Sequence, residues 1–185
     1  SMAVTTTLVS VDEYLRLEQT SEIRHEYVDG KLFAMAGESQ EHEEIVLNVV
    51  EALRPVARKK GCRLYTKNIK LYITAKRYRY PDVMILCNAK TEDGTESKPC
   101  FVLEVLSDST AQTDLSDKLL EYTALSSLER YAIVSQTARL VILYSRGKDG
   151  WQVKTLENTG EIDIPCFGAV LTLEQLYAGF DFSER

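Results

Sequence analysis

The segment FVLEVLS, residues 101–107, is an almost continuous apolar run that one acid, Glu104, interrupts. A run of this length and composition is typical of a β-strand that is covered on both faces of its sheet. The segment YPDVMILC, residues 80–87, has the same character and carries Asp82 directly after Pro81. Because a buried carboxylate is costly unless it is paired or bound to a metal, both acids require an explanation. Buried strands also need covering layers, so we expect an α/β protein with a mixed sheet.

Local patterns predict the elements that precede these strands. SVDE, residues 10–13, has the form of a capping box and predicts a short amphipathic helix. Alternating residues on both sides of Asp29-Gly30 predict a β-hairpin. Ser39 is expected to cap a longer helix over residues 40–59, which Pro55 should kink or shorten.

The remaining patterns predict further strands and two more helices. Residues 63–74 read as a strand with a bend at Asn68, and residues 113–125 read as one amphipathic helix. Three strands should follow, of which RLVILYSR, residues 139–146, is expected to be a sheet edge that needs covering. Thr172 and Gln175 form another capping box near the end of the chain. We expect a single domain over residues 2–185, with Ser1 as a remnant of cloning.

Positive charge is concentrated in one part of the sequence. The 185 residues carry a net charge of −6, but no acid lies between Glu51 and Asp82, where ten of the 22 lysines and arginines are found. A segregated basic stripe suits phosphate binding, and a solvated helix end followed by a hairpin explains it equally well. The candidates for nucleic-acid contact are Lys59, Lys60, Arg63, Lys67, Arg77 and Arg79.

The cysteines and the N-terminal segment bear on the compartment. Cys62, Cys87, Cys100 and Cys166 lie 25, 13 and 66 positions apart without a C-x-x-C pair, so we interpret them as small buried apolar residues in a reducing compartment rather than as a zinc site. The first residues lack the pattern of a signal peptide, and no run approaches the roughly 20 apolar residues of a membrane span. We expect a cytoplasmic protein that has no membrane partner.

The two buried acids predict a metal site if their strands are neighbours. Two close carboxylates repel unless one is protonated or a cation lies between them. A hard ion such as Mg²⁺ (or Mn²⁺) takes oxygen ligands of this kind. Period-two alternation leaves the carbonyl of Val105 able to coordinate the same ion. The predicted ligands are therefore Asp82, Glu104 and Val105.

Pro81-Asp82 followed by Glu104 resembles the P-D…(D/E)-x-K pattern of restriction-endonuclease-like nucleases. Most of that superfamily has a lysine two residues after the second acid, where this chain has Leu106. HEYVDGKLFAMAGESQEH, YPDVMI, FVLEVLSDSTAQTDLSDKLLEY and LERYAIVS together resemble the Uma-type restriction endonuclease family, which is similar in placing its lysine on the following helix, as in Asp114–Lys118. The resemblance implies a restriction-endonuclease-like mixed β-sheet flanked by helices, with an N-terminal helix and β-hairpin.

The resemblance also implies a function and residue roles. The protein would be a Mg-dependent endonuclease that hydrolyses phosphodiester bonds in DNA, with Asp82, Glu104 and Lys118 as catalytic residues. The two acids would hold the metal, and Lys118 would orient the attacking water or stabilise charge on phosphorus. Glu26 is expected to act as a further metal ligand or to support the site. His42 is expected to be a partner of Glu26 or an auxiliary base, and the helix N-terminus should keep its imidazole neutral. Asp114 is expected to support the site as well.

Structural explanations stand beside the catalytic one. Glu104 and Lys118 could form only a buried salt bridge, Asp82 could cap a loop, and Asp114 could be favoured by the helix dipole alone. The protein would then be a catalytically inactive module that binds nucleic acid or a protein partner. A metal-dependent hydrolase of another phosphoester is a third hypothesis. Because cutting both DNA strands requires two active sites, the nuclease hypothesis predicts a homodimer.

Overall fold

A computed structural model describes residues 7–108 and 111–184 of the chain. The α-helices in this range are α1 Val11–Thr20, α2 Gln40–Lys59, α3 Ala111–Leu115, α4 Asp117–Thr123 and α5 Leu173–Leu176. The first six strands are β1 His25–Val28, β2 Lys31–Ala34, β3 Arg63–Thr66, β4 Leu71–Thr74, β5 Arg77–Arg79 and β6 Val83–Leu86. The other six are β7 Phe101–Val105, β8 Arg130–Val134, β9 Leu140–Gly147, β10 Gly150–Glu157, β11 Glu161–Ile164 and β12 Ala169–Thr172.

The central sheet has six strands in the order β10-β9-β8-β7-β6-β3. β7 and β8 are parallel, and the other neighbours are antiparallel, so the sheet is mixed as expected. Every residue of β6 and β7 is buried, which confirms the interpretation of both apolar runs as covered strands. One face packs against α2, α5 and the β11–β12 hairpin, and the other packs against α4 and β4.

A second sheet, in the order β2-β1-β5-β4, packs against the N-terminal helix α1. The predicted hairpin is present, because β1 and β2 pair around Asp29 and Gly30, whose φ angles are 49° and 93°. Positive φ at both central positions is the requirement of the hairpin turn that Asp-Gly favours. Tyr14, Tyr27 and Tyr78 fill the space between this sheet and α1.

Four details of the predicted elements are wrong. Residues 63–74 are two strands in different sheets, since β3 joins the central sheet and β4 joins the second one. The helix predicted over residues 113–125 is interrupted at Ser116, whose backbone is not helical (φ −129°, ψ −79°). Pro55 lies inside α2, which runs over the full predicted length, so the shortening that was the alternative to a kink does not occur. β9 lies between β8 and β10, so β10 is the edge strand.

The cysteines also differ from their interpretation as separate apolar residues. Two disulfides join Cys62 to Cys87 and Cys100 to Cys166. The fold brings these distant positions together through the pairing of β3, β6 and β7 and the packing of the C-terminal hairpin. In the part of the chain that the structure describes, no helix has both the length and the apolar character that a membrane crossing needs.

Candidate active site

Asp82 and Glu104 face each other across two neighbouring strands. β6 and β7 are antiparallel and pair Val83 with Leu103, so the residue before β6 lies opposite Glu104. The Asp82 backbone N–H donates to Glu104 Oε1 at 2.7 Å, and the Val105 N–H donates to Asp82 Oδ2 at 2.8 Å. Asp82 is 8% exposed and Glu104 is 1% exposed. These reciprocal hydrogen bonds fix the two carboxylates side by side in a nearly water-free position.

Lys118 joins the two acids from helix α4, which packs against the sheet. It is the second residue of α4, and its Nζ lies 2.5 Å from Glu104 Oε2, with both side chains buried. The break at Ser116 lets α4 begin anew and turns Lys118 toward the sheet. The structure thus brings Asp82, Glu104 and Lys118 together, as the sequence analysis expects, while their catalytic role stays a prediction. Leu106 packs in the apolar cluster beside α4 and does not supply a cation.

The carbonyl of Val105 points toward the same place. Leu106 N–H donates to Val134 O in β8, so the peptide groups of Leu106 face β8. Successive residues of a strand direct their N–H and C=O groups to opposite sides, and the Val105 N–H is bonded to Asp82. The Val105 carbonyl therefore faces the β6 side, where an ion held by Asp82 and Glu104 would lie.

The N-terminal end of α2 and the residues just before it add two side chains to the site, those of His42 and Glu38. His42 Nε2 lies 3.1 Å from Asp82 Oδ2 and 3.8 Å from Glu38 Oε1. Ligand atoms of Glu38, His42 and Asp82 all lie within 4.8 Å of one another, which is close enough for shared metal coordination. The sequence analysis missed Glu38. Its position in the sequence could have indicated it, because Glu38 lies four residues before His42 and directly before the cap Ser39, and therefore near the same helix end.

The environment of His42 differs from the expected one in its hydrogen-bond partner and in the direction of its pKa shift. Its partner is Asp82, and no contact with Glu26 is found within the described residues. Burial opposes the charged imidazole, but the hydrogen bond and charge of Asp82, with the charge of Glu38, outweigh burial and raise the pKa of His42 above its ordinary value. The helix N-terminus alone would act in the opposite direction, so the carboxylates decide the sign of the pKa shift.

Glu26 supports the site indirectly. Its Oε1 accepts a hydrogen bond from Arg79 Nη1 at 3.2 Å, and its Oε2 accepts from the Tyr80 N–H at 3.0 Å. Because both oxygens are engaged, Glu26 is placed as an anchor of the chain before Pro81-Asp82 rather than as a metal ligand. The backbone of Asp114 lies in α3, but its side chain falls outside the described residues, so its predicted support is not located.

The assignment of Arg79 to a nucleic-acid surface is wrong. Arg79 is 3% exposed, and its guanidinium donates two hydrogen bonds to Glu121, at 2.7 and 2.8 Å, and one to Glu26. Burial opposes this charge, but the hydrogen bonds and charges of Glu121 and Glu26 raise the pKa of Arg79 further. A guanidinium that is enclosed and paired in this way holds β5 against α4 and cannot reach a phosphate.

The other predicted basic residues do not form one continuous surface. Arg63 pairs with the buried Glu96, and Arg77 pairs with Asp29 and Glu121, so their charges are compensated. Lys59 and Lys60 are exposed, but they lie at the far end of α2, about 30 Å along the helix axis from Ser39. Lys67 is the exception, because it is one-third exposed and lies 3.7 Å from Glu38, beside the carboxylates.

A cleft opens next to these carboxylates. It has a volume of about 530 Å³ and is lined by the N-terminal end of α2 and by the segments that follow β7 and β8. Gln136 crosses its wall, because Nε2 donates to Leu106 O at 2.6 Å and Oε1 accepts from Ser39 Oγ at 2.6 Å. Of the groups described above, Glu38 lines this cleft, while Asp82, Glu104 and Lys118 lie behind its wall.

Comparison with a solved structure identifies the class of fold. The crystal structure described as "a putative nuclease belonging to DUF820" from Anabaena variabilis matches 95% of this chain and 98% of its own, with a TM-score of 0.74 and 18% sequence identity. At this identity the match establishes the fold alone, a mixed α/β fold that this chain shares with that protein over nearly its whole length.

The family follows from a sequence match. Residues 11–174 match the model of the Uma2 family, described as "Putative restriction endonuclease", and the chain belongs to that family. Two uncharacterized proteins of Synechocystis sp. are also similar: slr1290 is 29% identical over 94% of both chains, and sll1609 is 26% identical over 80% of this chain and 86% of its own. Membership of this family supports a nuclease function for the protein.

Proposed function

We propose that this protein is a Mg²⁺-dependent endonuclease that hydrolyses phosphodiester bonds in DNA. The observation that carries the proposal is the convergence of Asp82, Glu104 and Lys118 at one end of the β6–β7 pair, beside an open cleft. Two carboxylates and one ammonium in this arrangement are the groups that phosphodiester hydrolysis needs. Family membership supports the class of reaction.

The donor set fits a hard divalent cation. Asp82, Glu104 and the carbonyl of Val105 offer oxygen ligands, which Mg²⁺ and Mn²⁺ prefer. Glu38 adds a third carboxylate within 4.8 Å of Asp82, so the acids of this group outnumber the single buried ammonium of Lys118. A cation bound here would polarise the scissile phosphate and lower the pKa of a bound water.

The residues of the chain have separable tasks around such a site. His42 and the Val105 N–H both bind Asp82 Oδ2 and hold that carboxylate in one orientation. The ammonium of Lys118, which pairs with Glu104, would stabilise negative charge that develops on the phosphate during attack by water. The exposed end of Lys67 attracts the phosphate backbone toward the cleft. Since double-strand cleavage requires two such sites, a homodimer is part of the proposal.

A second candidate is a catalytically inactive module that keeps the fold and binds nucleic acid or a protein partner. It is favoured by the pairing of Glu104, whose two oxygens accept from the Asp82 N–H and the Lys118 ammonium. A carboxylate that is satisfied in this way is stable without a metal. The two candidates differ in turnover, so cleavage is the measurement that separates them.

The test is nicking of supercoiled plasmid DNA with Mg²⁺ or Mn²⁺. Wild-type protein should convert the plasmid to open-circle and linear forms, and Asp82→Asn, Glu104→Gln and Lys118→Met should not. Asp163→Asn is the matched control, because this exposed acid pairs only with Arg130 among the described residues and lies outside the site. Cleavage at the wild-type rate by folded Asp82→Asn protein would contradict the proposal, and salt-sensitive DNA binding without any cleavage would favour the inactive module.

A relocation experiment tests the role of the lysine. Leu106 follows Glu104 by two residues on the same face of the strand, which is where related nucleases carry their lysine. The double variant Leu106→Lys, Lys118→Met should therefore recover part of the cleavage that Lys118→Met loses. Equal inactivity of both variants, with wild-type folding, would show that an ammonium two residues after Glu104 does not replace Lys118, whereas cleavage at the wild-type rate by folded Lys118→Met protein would remove Lys118 from the chemistry.

A further inference from the structure

The four cysteines meet at the end of the central sheet that lies opposite the candidate active site. Cys87 follows β6 and Cys100 precedes β7, whereas Asp82 and Glu104 lie at the other end of the same strands. The four residues of β6 separate the two ends by roughly 13 Å. Cys62 stands opposite Cys87 because β3 and β6 pair Arg63 with Leu86. Cys166 arrives in the short 3-10 helix Pro165–Phe167.

The two disulfides are in direct contact. The Sγ atoms of Cys87 and Cys100, which belong to different disulfides, are 3.8 Å apart. The Sγ atoms of Cys87, Cys100 and Cys166 all lie within 4.8 Å of one another. In a tetrahedral zinc site with Zn–S bonds of about 2.3 Å, neighbouring sulfurs are about 3.8 Å apart. The contact between the two disulfides therefore already has the length of one edge of a zinc tetrahedron.

We propose that the four cysteines, once reduced, bind one Zn²⁺ ion in a Cys₄ site. Two molecules of a dithiol supply four electrons and four protons, which convert the two disulfides to four thiols and leave two oxidised dithiols. Binding of Zn²⁺ then forms four Zn–S bonds and releases the four thiol protons to solvent. Disulfides are rare in reducing compartments, so the reduced, metal-binding form is the one expected wherever the thiols are kept reduced.

The surroundings suit a thiolate-bound cation. Lys59 and Lys60 precede Cys62 in the sequence, and their positive charges offset part of the net negative charge of a zinc ion with four thiolates. Cys87 is exposed, so an ion can enter from solvent, while Cys62 and Cys100 are buried and shield the sulfurs.

Such an ion would be structural. It would tie β3, β6 and β7 to the segment between β11 and β12, which covers one face of the sheet. Because the cluster is separated from Asp82 by the length of β6, its occupancy is independent of the nuclease chemistry. The inference therefore stands whether or not the protein cleaves DNA.

The experiment is a titration of reduced protein with Co²⁺ and then Zn²⁺. The protein is reduced with a phosphine under anaerobic conditions, and its thiols are counted. We expect four titratable thiols per chain, one equivalent of Co²⁺ with the intense visible bands of tetrahedral thiolate coordination, and loss of these bands on addition of Zn²⁺. Cys100→Ser should remove the tetrathiolate spectrum. Cys87→Ser, which replaces an exposed side chain, is the second variant and should weaken binding by more than tenfold.

Asp82→Asn is the matched control, because it disables the carboxylate site and leaves every cysteine in place. It should keep the cobalt–thiolate bands at full intensity. The proposal is overturned if reduced, folded protein shows four thiols and no thiolate-to-cobalt absorption. It is also overturned if the disulfides resist reduction in the folded protein, or if Asp82→Asn abolishes the bands that both cysteine variants retain.

Discussion

The buried ion pair between Glu104 and Lys118 allows a quantitative prediction about folding. Replacing Lys118 by Met removes the ammonium, keeps most of the side-chain volume and leaves Glu104 enclosed without its cation. The side chains of Lys118 and Glu104 are 8% and 2% exposed, so solvent cannot compensate the lost partner. We therefore expect Lys118→Met to reduce the free energy of unfolding of the metal-free protein by about 3–5 kcal/mol.

The second substitution should reverse most of this loss. Glu104→Gln in the Lys118→Met background removes the isolated charge, and the amide oxygen of the glutamine can still accept the Asp82 N–H. Replacing both members of a buried pair by neutral groups of similar volume is often close to neutral for stability. We expect the double variant to be more stable than Lys118→Met, with a coupling energy of about 2 kcal/mol or more in the double-mutant cycle.

The assay is equilibrium unfolding in urea, followed by circular dichroism in the presence of a chelator. The surface pair Arg130–Asp163 provides the matched cycle, because its atoms are 2.7 Å apart but the Asp163 side chain is 54% exposed. Its coupling should not exceed about 1 kcal/mol. If the Glu104–Lys118 cycle gives the same small coupling as this surface pair, the reasoning about the buried site is refuted.

Three further perturbations should have defined outcomes. Gly30→Ala should lower the free energy of unfolding by about 1 kcal/mol or more in thermal melts, because φ at this position is +93° and the added Cβ would lie 3.1 Å from a side chain. Arg79→Met should lower the free energy of unfolding in urea by about 3–5 kcal/mol, since it leaves the buried Glu26 without its guanidinium and Glu121 with Arg77 alone. Mg²⁺ at ten times its dissociation constant should stabilise wild-type protein by about 1.4 kcal/mol in thermal melts, and Asp82→Asn should abolish this effect.

Each outcome has a control within the chain. Gly37→Ala tests the hairpin argument, because a Cβ there would meet nothing within 4 Å and should change stability little; an equal loss in both glycine variants would contradict the role of positive φ. If Arg79→Met lowers the free energy of unfolding by less than about 1 kcal/mol, the ion pairs of Arg79 are solvated and the argument from burial is wrong. For the metal, equal stabilisation of wild type and Asp82→Asn would place the binding elsewhere.

Local sequence determined the elements and the acids of the site. The Asp29-Gly30 turn, the Ser39 cap and the covered strands around Asp82 and Glu104 follow from the conformational preferences and hydrophobic spacing of adjacent residues. Because β6 and β7 are neighbours, two acids that are 22 positions apart in the sequence became one pair. The sequence pattern therefore predicted which residues form the candidate site, but not the contacts between them.

Tertiary packing decided what spacing does not encode. The burial of Arg79 against Glu121, the approach of Glu38 to Asp82 and the meeting of four cysteines depend on which strands pair and which helix end covers them. These contacts join residues of different elements, and no local preference specifies them. The sequence by itself determined which charged and polar groups lie in the interior and therefore need a partner. Long-range strand pairing decided which partners they have. The reason is that the free-energy cost of burying a charge depends on all the groups around it, and these come from distant parts of the chain.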